Sequence, residues 1–124
     1  MENNNQIEPA KSEYKGLKIQ AKTEDMIEYM YIVLRQYPKS EKLALAAETK
    51  REALELLKLI ISCNKHYMKK TTMRDVDIQL DSLRAMVRLG HRLEFLKNHP
   101  YEVLSGKIDE IGRMIGGWLK SIQK

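Results

Sequence analysis

The chain has 124 residues, enough for one small domain with a modest core, and its 31% charged residues with scarce glycine and proline exclude a collagen-like or low-complexity chain. No apolar run approaches the roughly 20 residues of a membrane span, and the N-terminus lacks a signal-peptide core, so a cytoplasmic protein with no membrane contact is expected. A net charge of +5 with a pI near 9.3 favours an acidic partner, either nucleic acid or an acidic protein surface.

Residues 1–16 are polar, with Asn3-Asn4-Asn5 and Pro9, and read as a mobile tail ahead of a domain over residues 17–124. A helical pattern then emerges over about residues 17–36. Met26, Met30, Val33 and Tyr37 mark one side, and Ile27 and Leu34 widen it. Pro38 ends this helix because it disfavours helical geometry at Tyr37. The second helix is expected from Ser40 and Glu41 to about Met68. Its pattern runs through Leu43, Ala46, Ala47, Ala53, Leu54, Leu57, Ile60 and Ile61, with Leu56, Leu59 and Cys63 as a second apolar edge. Cys63 cannot form an internal disulfide and suits a buried position in a reducing compartment.

Lys69, Lys70 and Thr71 make the next turn, and Thr72 reads as an N-cap with Asp75 reaching back to it. On the third helix Val76, Leu80, Leu83 and Val87 form one apolar row; Met86, Leu89, Leu93 and Leu96 form another. Asp75, Asp77 and Asp81 near its start, and Arg84, Arg88, Arg92 and Lys97 towards its end, complement the helix dipole. Asn98-His99-Pro100 breaks the chain, with Pro100 suited to the first position of a fourth helix that runs to about Gln123. There Ile108, Ile111, Ile115, Trp118, Leu119 and Ile122 share one face. Gly112, Gly116 and Gly117 lie inside this helix, at a cost of roughly 1 kcal/mol each against alanine. Gly112 and Gly116 form a smooth stripe where another helix backbone can come close, and Trp118 supplies bulk beside it. A frayed end at Gly116 and Gly117 is the plainer reading, and the apolar residues beyond them argue against it. Four helices joined by short links make an all-α, up-down-up-down antiparallel four-helix bundle.

Catalysis is not expected. His66, His91 and His99 have no partner at a metal-ligand spacing, and the core positions carry Leu, Ile, Val and Met rather than carboxylates. Glu52 with Glu55, and Asp109 with Glu110, suit solvated faces with intrahelical ion pairs such as Glu48 with Arg51. Neither a cofactor nor a metal is expected. The cations say more. Arg84, Arg88 and Arg92 recur every four residues with His91 alongside, and only Glu94 opposes them before Lys97. The second helix adds Lys50, Arg51, Lys58, Lys65, Lys69 and Lys70. Like charges one turn apart repel by a few tenths of a kcal/mol, so an anion nearby is expected, phosphate or a partner's carboxylate. No base-reading motif is present, so contact with nucleic acid falls chiefly on the phosphate backbone. Tyr and Trp are not interleaved with these cations, which argues against a base-stacking platform. The second and third helices also carry more apolar width than one bundle buries, as an oligomer needs.

The run Tyr37-Pro38-Lys39-Ser40-Glu41-Lys42, the segment Ala53-Leu54-Glu55-Leu56-Leu57, the stretch from Leu83-Arg84 to Arg88-Leu89, and above all Asp109-Glu110-Ile111-Gly112-Arg113-Met114-Ile115-Gly116-Gly117-Trp118-Leu119-Lys120-Ser121 resemble the accessory variability determinant (Avd) family of diversity-generating retroelements. The resemblance covers roughly residues 24–122, and the C-terminal motif is its specific part. It implies a non-catalytic homopentamer of four-helix bundles that binds the retroelement's reverse transcriptase and template RNA and supports mutagenic cDNA synthesis. A wider resemblance is to the bundle proteins of ribosomal RNA intervening sequences, which would make the chain a homo-oligomeric scaffold without a retroelement role. Those usually carry an Ala-Glu-Gly stretch where this chain has Ile61-Ser62-Cys63-Asn64, which favours the Avd side.

Overall fold

A computed structural model describes residues 11–65 and 70–122, with side chains over 15–65 and 72–121. Among these residues the chain forms α1 (Lys11–Leu34), a 3-10 turn (Lys39–Glu41), α2 (Leu45–Lys65), α3 (Lys70–Arg92) and α4 (Asn98–Ile122), and no strand. Each of α1 and α3 packs on both α2 and α4, so α1 and α3 are diagonal and α4 closes the bundle. The architecture is the four-helix bundle that the apolar periodicity and short links predict.

The buried face of each helix repeats at three or four residues. α1 contributes Ile19, Met26, Met30 and Val33; α2 contributes Ala46, Ala53, Leu56 and Ile60; α3 contributes Met73, Val76, Leu80, Leu83 and Val87; α4 contributes Leu104, Ile108, Ile111, Ile115 and Trp118. Thr23 and Thr49 are also buried there. Each hydroxyl donates to a carbonyl one turn back, Thr23 Oγ1 to Ile19 O at 2.8 Å and Thr49 Oγ1 to Leu45 O at 2.7 Å, so neither leaves an unpaired polar group. Cys63 is buried, and burial first and the Asp75 carboxylate second push its thiol pKa up.

Helix ends depart from the sequence pattern in four places. α1 begins at Lys11, so residues 11–16 are helical rather than tail, while residues 1–10 lie outside the described residues. The segment at Ser40 forms only a 3-10 turn, and α2 proper starts at Leu45, which leaves Leu43 93% exposed. Lys42 has a capping role in this link, its ammonium donating to Arg35 O at 2.9 Å beyond the end of α1. Thr72 lies inside α3, which is already helical at Lys70, so it is not the N-cap; Met68 and Lys69 lie outside the described residues. Pro100 is the third residue of α4 rather than the first, still within the turn whose N–H groups have no intrahelical acceptor.

α3 stops at a two-bond C-terminal cap. Phe95 N–H donates to Gly90 O at 3.0 Å and Glu94 N–H to His91 O at 3.0 Å, with Glu94 at φ 68 in the left-handed position usually given to glycine. Gly90, at the base of this cap, faces Tyr37: a Cβ there would collide with the phenol, whose ring carbon Cζ would lie 3.0 Å away. Tyr37 is 2% exposed and its hydroxyl has no hydrogen-bond partner among the described residues. Burial pushes its pKa from 10.0 up to about 12.

Tyr37 therefore makes stability depend on alkaline pH. Below the ordinary phenol pKa both states are neutral and the residue contributes no slope. Above it the unfolded chain ionises while the folded chain resists, so stability falls as pH rises towards about 12. The slope reaches about 1.4 kcal/mol per pH unit. Tyr37→Phe is expected to gain about 1 kcal/mol at neutral pH by removing an unsatisfied hydroxyl, and to lack that alkaline loss. Urea unfolding of both proteins on either side of pH 10.0 checks the divergence.

Candidate nucleic-acid interface

The three arginines of α3 do not play one part. Arg84 is committed to the fold: its Nη1 lies 2.9 Å from Asp81 Oδ1 and its Nε lies 3.4 Å from Asp109 Oδ1 on α4. The guanidinium rests over Gly112, where a Cβ would collide with it and come within 3.3 Å of Leu80 Cδ2. This corrects the expectation that all three were uncompensated. Asp81 is a neighbour at the i−3 spacing, and Asp109 arrives only through tertiary packing. Arg88 and Arg92 are exposed, with no carboxylate at ion-pair distance among the described residues.

The α2 cations divide in the same way. Lys50 Nζ lies 4.6 Å over the Tyr31 ring of α1, a cation–π contact within the bundle. Arg51 pairs with Glu48 at 2.9 Å. Lys58 and Lys65 are exposed, with no ion pair among the described residues. Lys69 lies outside the described residues, and Lys70 opens α3 with its side chain undescribed. Since α2 and α4 flank α3 on different sides, the α2 cations do not share the α3–α4 groove.

That groove has a volume of about 170 Å³, with buried Val87 and Ile108 among its lining and Arg84, Arg88, Tyr101, Ser105 and Asp109 around them. Tyr101 stacks on His91, with ring centroids 4.0 Å apart and planes 8° from parallel. His91 Nε2 in turn lies 2.7 Å from Asn98 Oδ1. An aromatic ring thus stands beside Arg88 after all. Linear interleaving could not reveal it, because Tyr101 belongs to a different helix and meets the arginines only through the turn at Glu94.

Gly112 and Gly116 have different surroundings rather than one helix backbone against both. Gly112 faces the Arg84 and Leu80 side chains of α3, and among the described residues nothing lies within 4 Å of a Cβ placed at Gly116 or Gly117. Among the described residues no helix backbone meets Gly116, and Trp118 does not accompany a close approach there. Trp118 is instead 1% exposed and lies across Gly16 of α1. Gly116→Ala is therefore expected to raise the stability of the dilute chain by about 1 kcal/mol, the ordinary helix-interior difference. Unfolding at low and high protein concentration checks this, and a loss confined to high concentration would put Gly116 against a second copy.

Among the described residues no group of three or more His, Cys, Asp or Glu could hold a metal ion, and no helix is long and apolar enough to cross a membrane. No match is found among curated proteins. A family model described as bAvd-like, by contrast, matches residues 17–122, which spans all four helices except the first residues of α1. Because that model covers most of its length, the chain belongs to the bAvd-like family.

Proposed function

We propose that the chain is a non-catalytic accessory subunit of a diversity-generating retroelement, which binds the reverse transcriptase and the template RNA in the cytoplasm. Family membership over residues 17–122 is the observation that carries this reading. Arg88 and Arg92 support the RNA contact, since two exposed guanidinium groups one turn apart without carboxylates repel each other until an anion arrives. Lys58 and Lys65 are available to a second anionic surface on α2.

Protein contacts have their own support. Ile78 and Leu89 of α3, 66% and 40% exposed, fall on one side of the helix with Ser82 and Ala85, and Leu93, just beyond its end, is 49% exposed. A groove of about 490 Å³ between α1 and α2 is lined by Ile27, Tyr31, Ile32 and Leu54, with Glu28 and Arg35 also on it. These surfaces suit self-association, for which we propose the homopentamer, and contact with the reverse transcriptase. The same surfaces favour the second reading, a homo-oligomeric scaffold without a retroelement role. Titration of the purified chain with template RNA at two salt concentrations separates them. An accessory subunit binds with a log–log salt slope of about 0.7 per phosphate neutralised on single strands, whereas a scaffold assembles and leaves the RNA free.

A further inference from the structure

The α3–α4 groove combines three features that the sequence keeps apart. The first is an aromatic ring with rigid backing: Tyr101 stacks on His91, and His91 is held by Asn98 at 2.7 Å. The second is an uncommitted cation. Asp81 and Asp109 satisfy Arg84, but Arg88, on the same groove, has no carboxylate partner among the described residues. The third is size. At about 170 Å³ the groove is smaller than drug-sized pockets, which run about 300–1,000 Å³, and suits one planar base or one phosphoryl group.

We propose that this groove binds one unpaired nucleotide, with the base against Tyr101 and its phosphate on Arg88. The inference rests on the RNA-binding reading above and sharpens it, because the ligand becomes a single-stranded stretch rather than any phosphate backbone. A base inside a duplex cannot reach a protein ring without leaving its own stack, so paired RNA can use Arg88 but not Tyr101. Stacking tolerates every base, in keeping with a chain that carries no base-reading motif. Asp109 sets the polarity of the groove. Its carboxylate pairs with Arg84 and repels phosphate, which leaves Arg88 as the cation for the phosphate.

The test is fluorescence anisotropy with a labelled single-stranded RNA, a strand of equal phosphate count made abasic throughout, and a duplex of the same length. The wild-type chain is expected to bind the intact single strand roughly five- to a hundredfold more tightly than the abasic strand. Tyr101→Leu is expected to lose that margin and bind both strands alike, while Tyr101→Phe keeps it. The abasic comparison uses the unaltered protein, so it stands even where Tyr101→Leu perturbs the fold. Equal wild-type affinity for intact and abasic strands, or duplex bound as tightly as single strand, overturns the groove as a nucleotide site while the RNA-binding reading survives. Absence of wild-type binding to all three ligands overturns both.

Discussion

Trp118→Ala is expected to cost about 3–5 kcal/mol of folding stability, a large share of the about 5–15 kcal/mol available to a small domain. Trp118 is 1% exposed and lies at the junction of α4 with α1, its ring carbons Cη2 and Cζ2 at 2.8 and 2.9 Å from where a Cβ on Gly16 would sit. The same junction holds Asn64 of α2, whose amide donates to Gly16 O at 3.1 Å and to Gln20 Oε1 at 3.0 Å. Any side chain at position 16 must displace the indole or the amide, so Gly16→Ala is expected to cost about 1–3 kcal/mol by overpacking. The two changes share one contact and should not add: Gly16→Ala is expected to cost less once the indole is gone. Urea unfolding of both single variants and the double variant checks this, and additivity within about 0.5 kcal/mol would show the contact to be unimportant.

Arg88→Glu with Arg92→Glu is expected to leave the bundle folded and weaken RNA binding by about tenfold or more, the equivalent of ~1.4 kcal/mol. Neither side chain forms an ion pair among the described residues, and both are exposed, so their replacement breaks no ion pair of the fold. The salt slope should fall by about 0.7 for each phosphate that the variant no longer neutralises. Arg84 should behave differently. Its guanidinium bridges Asp81 and Asp109 across Gly112, so Arg84→Glu would set three carboxylates together and act on stability as well as binding. Thermal unfolding beside RNA titration separates the two classes of arginine.

Apolar periodicity made most of the fold legible. Val76, Leu80, Leu83 and Val87 on α3 and Ile108, Ile111, Ile115 and Trp118 on α4 are buried as their spacing predicts. The start of α1 was not legible, because Gly16, which packs against Trp118 and Asn64, reads locally as a helix breaker. Leu43 and Leu54 continued the apolar pattern of α2, yet one falls in the link before the helix and the other is 39% exposed beside the α1–α2 groove. At the candidate site, the four-residue period of the arginines was visible but their partners were not. Asp109, Gly112 and Tyr101 meet α3 only once α4 folds back along it, and no local spacing encodes that register.

The accessory role itself is tested most directly by cDNA synthesis. The purified reverse transcriptase of the same retroelement is supplied with template RNA, with and without this chain, and the cDNA made from the template region is quantified. The wild-type chain is expected to raise the yield of that cDNA, and the Arg88→Glu, Arg92→Glu variant, folded but weakened for RNA, to do so much less. Equal yield with and without the wild-type chain, under conditions where the transcriptase copies a generic primed template, would contradict the accessory role.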